Sequence, residues 1–153
     1  MVRVGKPDMT DEWKRNYEIG LKYQDFVKHE MYKYGVPIVF NDSCEYQYNE
    51  GENILGIEIK NDTIFSKTRN LYIEVAEKTK ASNENYVASG IYRYDNSWLY
   101  LIGDYTTIFI FGVTHLRLME KTKMYQEKKI DTSIGFLLPE GDARKYALKI
   151  IEN

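Results

Sequence analysis

The 153-residue sequence predicts a single α/β domain in which helices flank a central mixed β-sheet. Three observations carry that reading. Residues 10–35 hold an approximate helical stripe of apolar side chains. Residues 54–78 hold two strand-length runs that alternate with period two, and residues 97–111 hold two apolar runs around Gly103-Asp104-Tyr105. A chain of this length buries most of its apolar surface without needing disulfides or structural metals.

Composition narrows the field before any motif is considered. A formal charge of −2 and a pI near 5.8 give no general attraction to polyanions, so nucleic-acid contact has to come from local basic patches. The single cysteine, Cys44, excludes an intramolecular disulfide framework and a multi-cysteine zinc site, and fits a reducing cytosol. No run approaches the roughly 18 apolar residues that span a bilayer. The opening MVRVGKPDMTDEWK lacks the apolar core of a signal peptide, so an intracellular, cytoplasmic protein is expected. The 14 tyrosines suit half-buried strand positions, and they are also able to stack on bases.

Taken in order, residues 1–9 read as a flexible lead, and Thr10 as the cap of a helix with Trp13, Tyr17, Leu21, Val27, Met31 and Tyr34 inward. Gly35 stops it before Pro37. Glu30 reads as solvated. Val36 to Phe40 reads as a short strand and Cys44 to Tyr48 as a second extended piece, before a turn at residues 49–53. Residues 78–86 read as a mobile loop. Ser97 to Ile102 and Thr106 to Phe111 form a core hairpin, and Thr114 caps a helix to Tyr125 with Leu116, Met119 and Met124 partly inward. Ser133 to Leu138 reads as the last strand, and residues 141–151 as a C-terminal helix. Lys121, Lys123, Lys128 and Lys129 make the strongest basic cluster, read as a solvated helix end or a phosphate contact. His115, at a helix start, reads as a surface or capping group.

The chemistry concentrates in ILGIEIKNDTIFSKTRNLYIEVAEK, residues 54–78. Read as a β-ribbon, Ile57 and Ile59 share a face opposite Glu58, Lys60 and Asp62, while Leu71, Ile73 and Val75 oppose Tyr72, Glu74, Ala76 and Lys78. With both apolar faces in the core, Glu58, Lys60, Asp62, Glu74 and Lys78 share one patch. Cross-strand Glu and Lys pairs on a solvated ribbon explain much of this. Asp62 asks for more, because aspartate is depleted in strands but suits a strand end, where it can aim at a hard cation. Two carboxylates from adjacent strands suit Mg²⁺ or Mn²⁺, with room left for water. Lys67 and Arg69 in the connection, and Lys80 beyond the second strand, are candidate phosphate contacts.

A helix, then a strand with G-I-E-I-K-x-D, then a strand with N-L-Y-I-E, followed by Ser89-Gly90-Ile91, resembles the PD-(D/E)xK nuclease-like superfamily in its small phage and mobile-element members. The likeness covers roughly residues 13–111. It implies a restriction-endonuclease-like core and a Mg²⁺-dependent deoxyribonuclease that hydrolyses DNA phosphodiester bonds. It also implies Asp62 and Glu74 as metal ligands and Glu58 as an accessory acid. Gln24 stands in the first-helix context where the family carries a Glu, and Gln47 and Glu52 flank the site. Related small nucleases often pair to cut two strands, so a homodimer is a further implication. The family expects Lys, Glu or Gln two residues after the metal-binding Glu, where this chain has Ala76. Three explanations stay open: Lys60 or Lys78 supplies the cation, the fold persists as a binding module without the chemistry, or Ala76 is an engineered inactivating substitution. An unrelated α+β domain with a merely soluble ribbon is the remaining alternative.

Overall fold

The computed structural model of the chain describes residues 11–41, 47, 50–78 and 80–153, the side chain of Trp13 excepted. Helix α1 (Asp11–Tyr32) begins with Asp11 and Glu12, negative charges on the turn where the helix dipole favours them. Tyr23, Val27 and Met31, four residues apart, make its buried stripe, while Leu21 and Tyr34, expected inward, are exposed, Leu21 because it falls off that face and Tyr34 because it lies past the end of the helix. A Schellman motif ends it. Gly35 takes φ +77°, its N–H reaches Tyr32 O at 2.9 Å, and the N–H of Val36 reaches Met31 O at 3.1 Å.

The strands of the described residues are β1 (Ile57–Asn61), β2 (Asn70–Glu77), β3 (Val87–Ala88), β4 (Leu99–Gly103), β5 (Thr107–Gly112), β6 (Glu127–Ile130), β7 (Ser133–Pro139) and β8 (Lys149–Glu152). Helices α2 (Phe65–Thr68), α3 (Val113–Lys121) and α4 (Glu140–Tyr146) connect them. Two four-stranded sheets result, ordered β1-β4-β5-β8 and β3-β2-β7-β6. The first is mixed, with β1 parallel to β4 and the other pairs antiparallel. The second is wholly antiparallel.

The mixed sheet lies between two cores, which is why β4 and β5 read as near-continuous apolar runs. On one face Ile57, Ile59, Leu101, Ile108, Ile110 and Ile151 pack with Tyr23, Val27 and Met31 of α1. On the other, Tyr100, Ile102, Phe109 and Phe111 pack with Leu71, Ile73, Phe136 and Leu138 of the second sheet, and with Leu116 and Met119 of α3. The chain is thus a single α/β unit with a mixed sheet flanked by helices, as its sequence predicts at that level.

Several elements differ from the sequence reading. β1 and β2 are no ribbon, because the connection between them winds into α2 and sinks Phe65, 0 % exposed, against Phe109 at 5.5 Å. β1 then finds its partner in β4. Val36 to Phe40 forms only an isolated bridge, Phe40 to Asn53. Helix α3 starts one residue before Thr114, on extended Gly112 with no side-chain cap, and stops at Lys121, leaving Met124 exposed. Lys128 and Lys129 lie on strand β6 rather than at a helix end. The C-terminal helix ends at Tyr146 because Ala147 turns extended and the N–H of Leu148 reaches Ile110 O at 2.7 Å, starting the β8 ladder. β7 is therefore not the last strand. Glu30 is buried and paired with Lys33 at 2.8 Å rather than solvated. Thr10 and residues 42–46 and 48, with the extended piece expected there, lie outside the described residues.

Phe65 is the side chain that holds the α2 connection to the core. Phe65→Ala is expected to destabilise the protein by about 3–5 kcal/mol, read as a lower urea midpoint at unchanged slope. A change under about 1 kcal/mol would mean that the site collapses freely around the smaller side chain.

Candidate active site

Strand alternation puts Glu58 and Lys60 on the face of β1 opposite Ile57 and Ile59. Asp62 follows directly and stitches the two sheets together. Its own N–H reaches Gly103 O at 2.7 Å, while its carboxylate accepts the N–H of Tyr72 on β2 at 2.9 Å and of Ile64 at 3.3 Å. Two residues beyond Tyr72, Glu74 accepts the hydroxyl of Ser89 at 3.1 Å through Oε2. The Ser89-Gly90 turn sits directly on β2, for a Cβ on Gly90 would stand 2.0 Å from Glu74 O, and Gly90 takes φ +52°. Only glycine fits there.

These segments enclose an open cleft of about 280 Å³ lined by Lys60, Asn61, Asp62, Thr63, Ile64, Tyr72, Glu74, Tyr100, Ile102 and Ile130. Lys60, Asp62 and Glu74 therefore line one cleft, and they reach it from two sheets rather than from the single ribbon expected. Lys78 departs from the group: it does not line the cleft, and its ammonium lies 4.5 Å from the centre of the Tyr86 ring. Glu58 lies behind the cleft at 1 % exposure, with Lys60 Nζ 3.0 Å and Arg93 Nη1 3.9 Å from its Oε1.

The other sequence candidates lie outside the cleft. Gln24 is half-buried on α1, whose buried stripe packs on the opposite face of the mixed sheet, and it does not line the cleft. Gln47 donates to Asn41 O at 2.8 Å, and its carbonyl accepts from Arg93 at 2.7 Å and Gly51 at 3.0 Å. Arg69 is committed to Glu140 through two hydrogen bonds of 2.7 and 2.5 Å. Lys67 and Lys80 are exposed and outside the cleft. His115 packs edge-on against Tyr146. Ala76 is displaced by a bulge at Val75: Glu74 stands opposite Gly135 and Ala76 opposite Ile134, successive residues of β7 that point to opposite faces. Position 76 is thereby turned from the face that Glu74 occupies, and the cation beside Glu74 is Lys60.

Buried charge surrounds this arrangement. Glu52, 7 % exposed, accepts the N–H of Ile59 at 3.1 Å, and Arg93 Nε lies 3.3 Å from Asp95 Oδ2. Glu52, Glu58 and Asp95 thus face Lys60 and Arg93, one carboxylate more than the two cations neutralise as full charges. Burial, with Glu58 adding to it, pushes Glu52 up to about 8. The Glu58 carboxylate pushes Lys60 up, against the opposing effect of burial. Burial also raises Glu74, in part offset by Lys60, and raises Asp62 despite its backbone hydrogen bonds. Tyr72, Tyr100, Arg93 and Asp95 were not singled out from sequence. Tyr72 sat on the right face of its strand, but nothing separated it or Tyr100 from the other tyrosines.

Among the described residues no three of His, Cys, Asp and Glu converge on one metal position. Compared with known proteins, the chain matches no family model, no curated protein and no solved structure.

The raised pKa of Glu52 makes stability depend on pH. The folded protein keeps a proton that the unfolded chain releases, so this contribution is full below 4.5 and is lost as pH rises through about 8. Glu52→Gln is expected to flatten the fall in melting temperature across that window. Equal slopes for the two proteins would remove the proton from Glu52.

Proposed function

We propose that the chain is a metal-dependent DNA endonuclease of the PD-(D/E)xK kind, a hydrolase with a restriction-endonuclease-like core. The observation that carries this reading is the meeting of Lys60, Asp62 and Glu74 in one cleft, brought there from two sheets. The donor set suits Mg²⁺ or Mn²⁺: both acids offer hard oxygens, both are partly stripped of water, and a cation that keeps several waters needs few protein ligands. Asp62 and Glu74 would hold it. Such an ion lowers the pKa of a bound water and offsets charge on the phosphate.

The chain's own groups supply the rest. Ser89 fixes Glu74 Oε2, and the backbone of β2 fixes Asp62, so neither acid needs to reorganise when a ligand arrives. Lys60, held charged by Glu58, sets a positive charge at the cleft wall where a phosphate oxygen becomes more negative. The family likeness suggests a phage- or mobile-element-encoded protein that pairs as a homodimer to cut both strands, and the single cysteine suggests a cytoplasmic one. None of the described helices is long and apolar enough to cross a membrane.

A second reading, a nuclease-fold binding module without catalysis, draws on one observation. Asp62 already accepts two backbone N–H groups and Lys60 is already paired, so both have structural work. Calorimetric titration with Mn²⁺ and plasmid nicking decide between the two. The nuclease reading expects Mn²⁺ binding that weakens at least about tenfold in Asp62→Asn and Glu74→Gln, and nicking slowed about 10²–10³-fold in Lys60→Met. Affinity should also decline on acidification from a higher pH than ordinary carboxylates give, since both acids are raised. Ala76→Lys should add nothing, given its displaced register. Absence of Mn²⁺ binding would overturn the nuclease reading, and binding without nicking would favour the module.

A further inference from the structure

Three segments meet beside the cleft around one aromatic ring. Tyr86, just before β3, is half-buried; the ammonium of Lys78, just after β2, lies 4.5 Å from its ring centre, and that of Lys129, on β6, lies 5.9 Å from it. Lys78 is fixed in place by its backbone, whose N–H reaches Thr132 O at 2.7 Å in the turn between β6 and β7. Among the described residues neither lysine forms an ion pair with a carboxylate. Of the cation–ring contacts among the described residues, this ring is the one shared by two cations.

The cluster adjoins the cleft across the edge of the antiparallel sheet. Lys129 stands opposite Ile134, as does Ala76, on the face turned from Glu74, whereas its neighbour Ile130 lines the cleft. Lys128 stands opposite Gly135, which stands opposite Glu74, so β6 sends one lysine toward each face. A strand seated on the ring thus reaches the acidic site over the β6 edge.

We propose that Tyr86, Lys78 and Lys129 form a docking step for single-stranded nucleic acid, the ring receiving one unstacked base and the lysines the phosphates beside it. The inference rests on the nuclease reading and deepens it by naming the form of the substrate. A duplex keeps its base faces stacked and offers this cluster only phosphates, which leaves the ring without a partner. An unpaired base offers a π-face. Base-on-aromatic stacking exceeds an exposed cation–π contact, so an arriving base displaces an ammonium from the ring, and the freed ammonium meets the adjacent phosphate. An acidic protein segment would use the lysines but gain little from the ring.

The test is fluorescence anisotropy of a labelled oligothymidylate and of a duplex of equal length, in EDTA, so that no cutting occurs. The expected result is preference for the single strand, about tenfold weaker binding of it by Tyr86→Ala, near-normal binding by Tyr86→Phe, and an unchanged duplex affinity. Lys78→Gln with Lys129→Gln should reduce the logarithmic salt slope by about 1.4, two phosphates at about 0.7 each. Equal binding of the single strand by Tyr86→Ala and the unaltered chain would overturn the proposal. So would equal losses for single strand and duplex, binding of neither, or competition by polyglutamate that depends on the lysines alone. The two readings fail separately: Tyr86-dependent binding without nicking in Mn²⁺ leaves the docking step and removes the nuclease, and nicking with binding indifferent to Tyr86 does the reverse.

Discussion

The carboxylate of Asp62 is where the two sheets are joined next to the cleft. Its hydrogen bond to the Tyr72 N–H ties the end of β1, an edge strand of the mixed sheet, to β2 in the antiparallel sheet. The core that the two sheets share holds them together at large, through Leu71 and Ile73 against Tyr100 and Ile102, and the bond sets the spacing of β1 and β2 at the cleft itself. The cleft is therefore a product of sheet-to-sheet docking, and its acids sit on rigid strands or at their ends. A site built this way holds its geometry better than one carried on loops.

The cost appears in the charges behind it. Glu58 is fully buried and leans on Lys60 and Arg93, and its two oxygens lack well-directed hydrogen bonds. Removing either cation would leave this buried anion with a single partner, and losing compensation for a buried charge costs more than the net worth of an intact pair. The cluster keeps Lys60 protonated and at the cleft wall. It also stores a proton on Glu52, so stability and the electrostatics of the cleft rest on the same few side chains.

How much of this the sequence disclosed depended on whether a local signal existed. Helix α1 itself, its Gly35 stop and the β4–β5 hairpin were legible because periodicity and turn residues report short-range geometry, whereas the buried stripe runs through Tyr23 rather than Leu21 and Tyr34. The cleft trio was legible in part, since alternation places Glu58 and Lys60 on one side of β1 whatever strand lies next to it. What alternation cannot reveal is partnership. Nothing between Asp62 and Arg69 announces that Phe65 is buried and that β1 pairs in parallel with a strand some forty residues on. The Val75 bulge inverted the face of Ala76 with no glycine or proline to mark it. The C-terminal segment was misread because Ile150 and Ile151 suit helix or strand, and the choice was made by the free edge of β5.

Strand β6 carries one more consequence. Among the described residues it borders its sheet with no neighbour on its outer side, so its backbone presents N–H and C=O groups that another chain's strand could extend. Glu127, Lys128 and Lys129 are exposed along that border, and charged side chains on an edge strand disfavour its extension by another chain. Neutralising both lysines weakens that protection along with removing two cations. The charges that guard this border include Lys129, one of the two lysines at the Tyr86 ring.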